Sequence, residues 1–145
     1  MRALPLTLSP CAGEAELFDR AVTGDFAEPI ANTARETHMP PWCSYVARRA
    51  GVAAGFGGFK GLPEAYGAVE LGYLTFPGHE GSGIASEFAA ALVAIARAHG
   101  PVRVIAHTLC EPDASTRVLE KAGFVRDGFG DDPDEGQVWR WRLVG

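Results

Sequence analysis

The chain has 145 residues, 47% of them hydrophobic and 21% charged, with a formal net charge of −5. This composition is that of an ordinary globular protein of one domain over 1–145, and an acidic chain without a Lys/Arg cluster excludes nucleic acid as a main partner. Three scattered cysteines outside any C-x-x-C spacing exclude a disulfide framework or structural zinc site and fit a reducing cytoplasm, and no stretch nears the roughly 18 apolar residues of a membrane span.

Ala3–Leu8 is predicted as a first strand, stopped by Pro10. The opening MRALPLTLSPCAG is too short, and too broken by Pro5 and Pro10, for a signal peptide. Leu17, Phe18 and Ala21 fall at helical spacing within 14–22, and a second, weaker helix is expected over 26–36. Pro40-Pro41 ends that region. Trp42–Arg49 reads as a strand that Ala50-Gly51 turns into Val52–Phe59. The glycine-rich run GFGGFKG (55–61) has no helix after it, because Leu62-Pro63 intervenes. It therefore reads as a strand and turn where another backbone comes close.

The best-defined strand is AVELGYLTF (68–76), and HEGSGIASEFAAALVAIARAHG (79–100) follows it. Ile84, Phe88, Ala91, Leu92 and Ile95 share one helical face, and Gly100-Pro101 stops the helix. Gly81 and Gly83 permit a tight turn with outward N–H groups, and the first helical N–H groups beyond it have no intrahelical partner. Strand, glycine-bracketed turn and helix N-terminus together make a site for phosphate.

Val102–Leu109 is a β-branched run expected to lie mostly inside. Asp113 suits the N-cap of a helix over Ala114–Ala122, with Gly123 at C′. Phe124–Phe129 is a further strand, followed by the acidic turn DDPDEG (131–136). Gln137–Val144 alternates Val138/Arg140/Arg142 against Trp139/Trp141/Leu143, a half-buried strand with two solvent-facing arginines. The order β-α-α-β-β-β-α-β-α-β-β predicts a mixed α/β layer fold. Its three central strands pair antiparallel, and the helix between Phe76 and Val102 makes one parallel step.

Two phosphate motifs fail on residues. The P-loop pattern is absent, and the dinucleotide fingerprint has Ser86 in place of its third glycine and Arg103 where an acid is needed about twenty residues on. Residues 68–124 fit another pattern. AVELGYLTFPGHEGSGIASEFAAALVAIA, then VIAHTL, then ASTRVLEKAGF resembles the GNAT family of acyl-CoA-dependent N-acetyltransferases, most of all its ribosomal-protein N-terminal branch. VELGYLTF resembles the family's central strand, EGSGIA its Q/R-x-x-G-x-G/A turn, and STRVLEKAGF its helix-to-strand segment. The first 67 residues resemble it only loosely, through PWCSYVARRAG and the next strand.

The resemblance implies a GNAT-like fold: a mostly antiparallel twisted sheet with one splayed pair of parallel strands, flanked by helices. It implies acetyl-CoA as co-substrate and no metal. The pyrophosphate would sit on backbone N–H groups of Gly81, Ser82, Gly83, Ile84 and Ala85. The pantetheine arm would pair with Leu74, Thr75 and Phe76 where strands 68–76 and 102–109 part. Asp113 and Ser115 are the remaining cofactor-binding candidates, Ser115 near the sulfur.

The implied reaction is direct attack by a primary amine, of a small molecule or a peptide N-terminus, in a ternary complex without a covalent enzyme intermediate. Glu70, in an otherwise apolar strand, is the first candidate base, because burial raises a carboxyl pKa. Its bland alternative is an exposed carboxylate, or one paired with Arg48 or Arg49. His107, across the cleft, is the second candidate, set against a hydrogen-bonded core histidine. Ser115 is a further catalytic candidate, which the resemblance places near the cofactor sulfur, set against a role in the helix cap. Tyr73 reads as core packing. Leu119 stands where many relatives carry a Tyr that protonates the thiolate, Glu80 where Gln or Arg is usual, and Pro112-Asp113 where an Asn is usual. These departures keep a rival open, a degenerate protein that binds acyl-CoA as a sensor or scaffold. Glu28, Glu36, Asp131, Asp132 and Asp134 either favour a cationic acceptor or are merely solvated. Homodimers are common in such folds, and no residue here decides the matter.

Overall fold

The computed structural model describes residues 5–11, 17, 19–28, 30, 40–60, 63, 67–100 and 102–144. Its strands are β1 (Leu6–Pro10), β2 (Ser44–Arg49), β3 (Val52–Phe59), β4 (Ala68–Thr75), β5 (Arg103–Thr108), β6 (Phe124–Asp132) and β7 (Gly136–Leu143). They form one sheet in the order β1-β2-β3-β4-β5-β7-β6, in which β4 and β5 are parallel and every other neighbouring pair is antiparallel. This is the predicted mixed sheet with its single parallel step.

Most departures lie at element ends. β1 runs on through Pro10, paired with Tyr45. A proline is tolerated there because β1 is an edge strand and loses no inner ladder bond. Residues 3 and 4 of the expected first strand lie outside the described residues, as does much of the expected helices over 14–22 and 26–36. What is described begins later, as α1 (Arg20–Thr23) followed by a 3₁₀ turn (Gly24–Phe26). Asp19 fixes that start by accepting from the Ala21 N–H at 2.9 Å. β2 starts at Ser44 rather than Trp42, whose ring instead meets Phe59 edge-on at 5.1 Å.

The β2–β3 hairpin turns on two residues with positive φ, Ala50 (55°) and Gly51 (79°), the conformation that matches strand twist. In β3 the glycines answer to close backbone approach, as expected of 55–61. A Cβ on Gly57 would stand 2.4 Å from the Gly72 carbonyl oxygen.

Two helices, α2 (Ile84–Ala98) and α3 (Ala114–Lys121), pack with β4 and β5 in one core. The buried stripe of α2 is Ile84, Phe88, Ala89, Leu92, Val93 and Ala96. It is rotated from the expected one, so Ala91 and Ile95 are only half-buried, and small Ala89 and Ala96 allow close approach to the sheet. Phe88 and Leu92 are fully buried against Val69, Leu71 and Val104. Burial of side chains of that size stabilises the fold by about 1.5–3 kcal/mol each. A second cluster, Leu17, Ile30, Val46, Ala53, Phe56 and Phe76, ties the N-terminal segment to β2, β3 and the end of β4.

β6 continues to Asp132, so the acidic turn shortens to 133–135. Asp132 caps it by accepting from the Asp134 and Glu135 N–H groups at 2.8 and 2.9 Å. Arg140 and Arg142 are exposed as expected, and both reach Asp127. Val138, on the same face by alternation, is buried beside Gly130. No described helix is long and apolar enough to cross a membrane.

Candidate active site

β5 pairs with β4 only over Ala68↔Arg103, Val69↔Val104 and Glu70↔Ile105. β4 nevertheless runs to Thr75 and β5 to Thr108, so the strands part after Glu70. The gap opens a cleft of about 700 Å³ whose lining includes Gly58, Lys60, Tyr73, Leu74, His107 and Ser115. A polar backbone edge has to face that gap, and the register identifies it. Lys60 N donates to the Glu70 carbonyl, and Phe76 N to the Ala54 carbonyl, each at 2.8 Å. The even-numbered residues of β4 therefore point their N–H and C=O groups at β3. Leu71, Tyr73 and Thr75, of opposite parity, turn theirs to the cleft.

This divides the three residues expected to pair with pantetheine. Thr75 presents its N–H to the cleft. Leu74 presents only its side chain, because its carbonyl lies against Gly55 of β3. Phe76 has left the strand and is fully buried, with its N–H on Ala54 and its carbonyl accepting from His79 N at 3.1 Å. Its expected pairing role is not open to it. Tyr73, absent from the expected set, turns its N–H and C=O to the cleft instead.

Side-chain parity puts two different chemistries on the two faces of β4. Val69, Leu71 and Tyr73 face α2, and the Tyr73 and Phe88 rings lie 6.2 Å apart. Burial, and then the nearby Asp113 charge, push the Tyr73 phenol well above its ordinary pKa, so it stays protonated. It lines the cleft with Ser115 and Leu119 rather than serving as core packing alone. Glu70 lies on the other face. Its setting is not the apolar one that the strand sequence suggests, nor does it pair with Arg48 or Arg49. Glu70 Oε2 stands 2.9 Å from Lys60 Nζ and 3.0 Å from His107 Nδ1, joining the two candidate bases. His107 reaches the cleft wall, and its Nε2 faces Gly130, where a Cβ would stand only 2.7 Å away. Alternation along β4 and β5 places Glu70 and His107 on the same face, but Lys60 and Gly130 carry no motif that would single them out.

At the start of α3, Asp113 accepts from Thr116 N at 3.0 Å, while Thr116 Oγ1 accepts from Asp113 N at 2.9 Å. Asp113 and Thr116 thus form the capping box, and Ser115 is left to line the cleft. The glycine turn before α2 has the expected form. Gly81 and Gly83 have φ of 77° and 80°, and Gly83 is an N-cap with no side-chain cap. A Cβ at either glycine would meet nothing within 4 Å, so the turn is open on that side. The first-turn N–H groups of Ile84 and Ala85 thus carry no capping side chain, which is the donor set a pyrophosphate needs. Exposed Glu80 folds back inside the turn, its Oε2 accepting from Gly78 N at 2.9 Å.

These features agree with the comparisons. A family model described as an acetyltransferase (GNAT) domain matches residues 9–125. None of the curated proteins matches the sequence. Among solved structures, the acetyltransferase (GNAT family) from Bacillus anthracis is similar at 20% identity and a TM-score of 0.76, covering 99% of this chain and 96% of that one. AAC(6')-Ib in complex with ribostamycin and coenzyme A is similar at 18% identity and a TM-score of 0.73, covering 97% and 93%. RimL, a ribosomal L7/L12 alpha-N-protein acetyltransferase in complex with coenzyme A, is similar at 20% identity and a TM-score of 0.63, covering 70% of this chain and 61% of its own.

Proposed function

We propose, from the premise that this chain belongs to the acetyltransferase (GNAT) family and uses acetyl-CoA, that it acetylates a cationic primary amine, with Glu70 and His107 acting together as the proton acceptor. The carrying observation is the junction where β4 and β5 part. There a carboxylate and an imidazole stand 3.0 Å apart beside the outward N–H groups of Tyr73 and Thr75.

The amine arrives protonated at neutral pH and must lose that proton to attack. Glu70 Oε2 holds the Nδ1 side of His107, which leaves Nε2 as the acceptor, and the missing side chain at Gly130 leaves room beside it. The amine nitrogen bonds to the thioester carbonyl carbon, the carbon–sulfur bond breaks, the sulfur takes the electron pair, and the second proton, shed by the acylated nitrogen, ends on the thiolate. The N–H groups of Tyr73 and Thr75 are the donors available to the carbonyl oxygen as it gains charge. Ser115 and the protonated Tyr73 phenol border the same cleft, where a thiolate is to be stabilised. The pyrophosphate would be held by the turn from Gly81 to Ala85.

Charge near the cleft supports a cationic acceptor. Hydrogen bonds from the Glu135 and Asp134 N–H groups hold the Asp132 carboxyl below its usual range, with smaller contributions from the Lys60 and His107 charges. Asp132 is thus ionised and within electrostatic reach of the site, and Asp131 lies beside it on β6. The family's relatives with amine-bearing acceptors, such as the aminoglycoside in the AAC(6')-Ib complex, make small polycations the first compounds to test.

Calorimetric titration with acetyl-CoA, followed by thiol release across a panel of polyamines, aminoglycosides and peptides, tests the reading. Release with cationic amines is the expected result. Tight acetyl-CoA binding with no release across the panel would favour the sensor instead.

A further inference from the structure

The glycine turn that would hold the pyrophosphate lacks the basic or amide side chain usual at Glu80, yet it is held by a cation from elsewhere in the fold. Arg49 ends β2, far from the turn in sequence, and its side chain is 17% exposed. Arg49 Nη1 donates to the Ser82 carbonyl at 3.0 Å, and Nη2 pairs with the Glu87 carboxylate. Nε is buried without a hydrogen-bond partner among the described residues, so this placement has a desolvation cost that calls for a reason.

The reason lies in the peptide joining Ser82 to Gly83. In a planar trans peptide the carbonyl of one residue and the N–H of the next point in opposite directions. By holding the Ser82 carbonyl, Arg49 turns the Gly83 N–H to the opposite side of that peptide, away from the guanidinium. The second contact removes an obstacle. Glu87 lies in the first turn of α2, where its charge would repel an incoming phosphate, and Arg49 neutralises it.

We propose that Arg49 is a positioning residue of the cofactor site: it orients the Ser82–Gly83 peptide and cancels the Glu87 charge, so that the turn accepts a pyrophosphate despite Glu80. This rests on the acetyl-CoA reading above and adds to it a residue outside the glycine motif. Its signature is selectivity between thioesters. S-Acetylpantetheine has the arm and thioester of acetyl-CoA but no pyrophosphate, so it does not use the turn.

The test compares kcat/KM for the two donors in wild type, Arg49→Lys and Arg49→Met. In wild type acetyl-CoA is preferred. In Arg49→Met that preference falls by about tenfold or more, the size of one lost charge-assisted hydrogen bond. Arg49→Lys loses part of it, because one ammonium cannot span both contacts as the guanidinium fork does. Glu87→Gln removes the repulsive charge and leaves Arg49 to hold the Ser82 carbonyl, so it keeps at least the wild-type preference, and with Arg49→Lys it covers the case of a poorly folding Met variant. Equal loss for both donors, or an unchanged preference, would overturn the assignment. Wild type that binds neither donor would instead refute the acetyl-CoA reading itself.

Discussion

The Glu70–His107 contact is the most exposed point of the proposed chemistry, and a double-mutant cycle tests it directly. Lys60 is 62% exposed, so solvent screens its contact with Glu70 and removing that contact alone has little effect. The His107 side of Glu70 is better protected, with side-chain exposures of 24% and 23%. A hydrogen bond to a charged group contributes about 1.5–3 kcal/mol. The residual exposure argues for the lower half of that range, about 1.5–2 kcal/mol. At 1.36 kcal/mol per factor of ten, Glu70→Gln is expected to lower kcat roughly 10- to 30-fold. The substitution keeps the side chain's shape and leaves the glycine turn untouched, so acetyl-CoA affinity stays within about twofold. His107→Gln loses at least as much activity, because it removes the group at the cleft wall. Residues that act as one unit are strongly non-additive, so the double variant is no worse than the poorer single one. The assay is thiol release at saturating acetyl-CoA with the best amine of the panel, alongside calorimetric affinity for the cofactor. A Glu70→Gln enzyme with wild-type kcat, or a double variant whose loss is the product of the two singles, would refute the reasoning.

The remaining predictions separate the parts of the site. Gly130→Ala puts a methyl group 2.7 Å from His107 Nε2 unless the ring gives way, so kcat falls several-fold while cofactor affinity holds, and steady-state kinetics that match wild type would sink the idea. Gly83→Ala has open space around it but requires alanine at a φ of 80°, which costs about 1 kcal/mol. Either the turn keeps its shape and thermal stability drops, or it flips and acetyl-CoA affinity falls, and a variant unchanged on both counts would contradict the geometry. Asp113→Ala removes the cap on Thr116 N, worth about 0.5–2 kcal/mol. Its melting temperature should fall by roughly 2–6 °C for a domain of this size, and an unchanged melt would mean that the cap carries no stability.

Much of the fold is legible in the sequence because it depends on local signals. Asp113 and Gly123 bracket α3 as expected, and Gly81 and Gly83 take the positive φ that their turn needs, while the run at β5 forms its strand but buries only Val104, Ala106 and Thr108, the face toward the helices. Element ends are less legible where tertiary context decides them. Pro10 stays in β1 only because that strand lies at the edge, and Asp132 stays in β6 while capping the turn beyond it. In the site, position along a strand is readable and phase across strands is not. Residues 74–76 can be read as the end of a strand beside a cleft, but which of them offers a donor depends on how β4 is registered on β3, through pairs 12 (Phe59↔Leu71) to 20 (Gly55↔Thr75) positions apart. One bond, from Phe76 N to the Ala54 carbonyl, assigns Thr75 to the cleft and removes Phe76 from it, and the same parity brings in Tyr73. Lys60, Gly130 and Arg49 escape a reading of the sequence for the same reason. Each comes from a different strand or strand end, and only pairing brings it to Glu70, His107 or Ser82. The glycine motif therefore marks where a phosphate would bind, whereas the long-range contacts decide whether the turn's N–H groups face it.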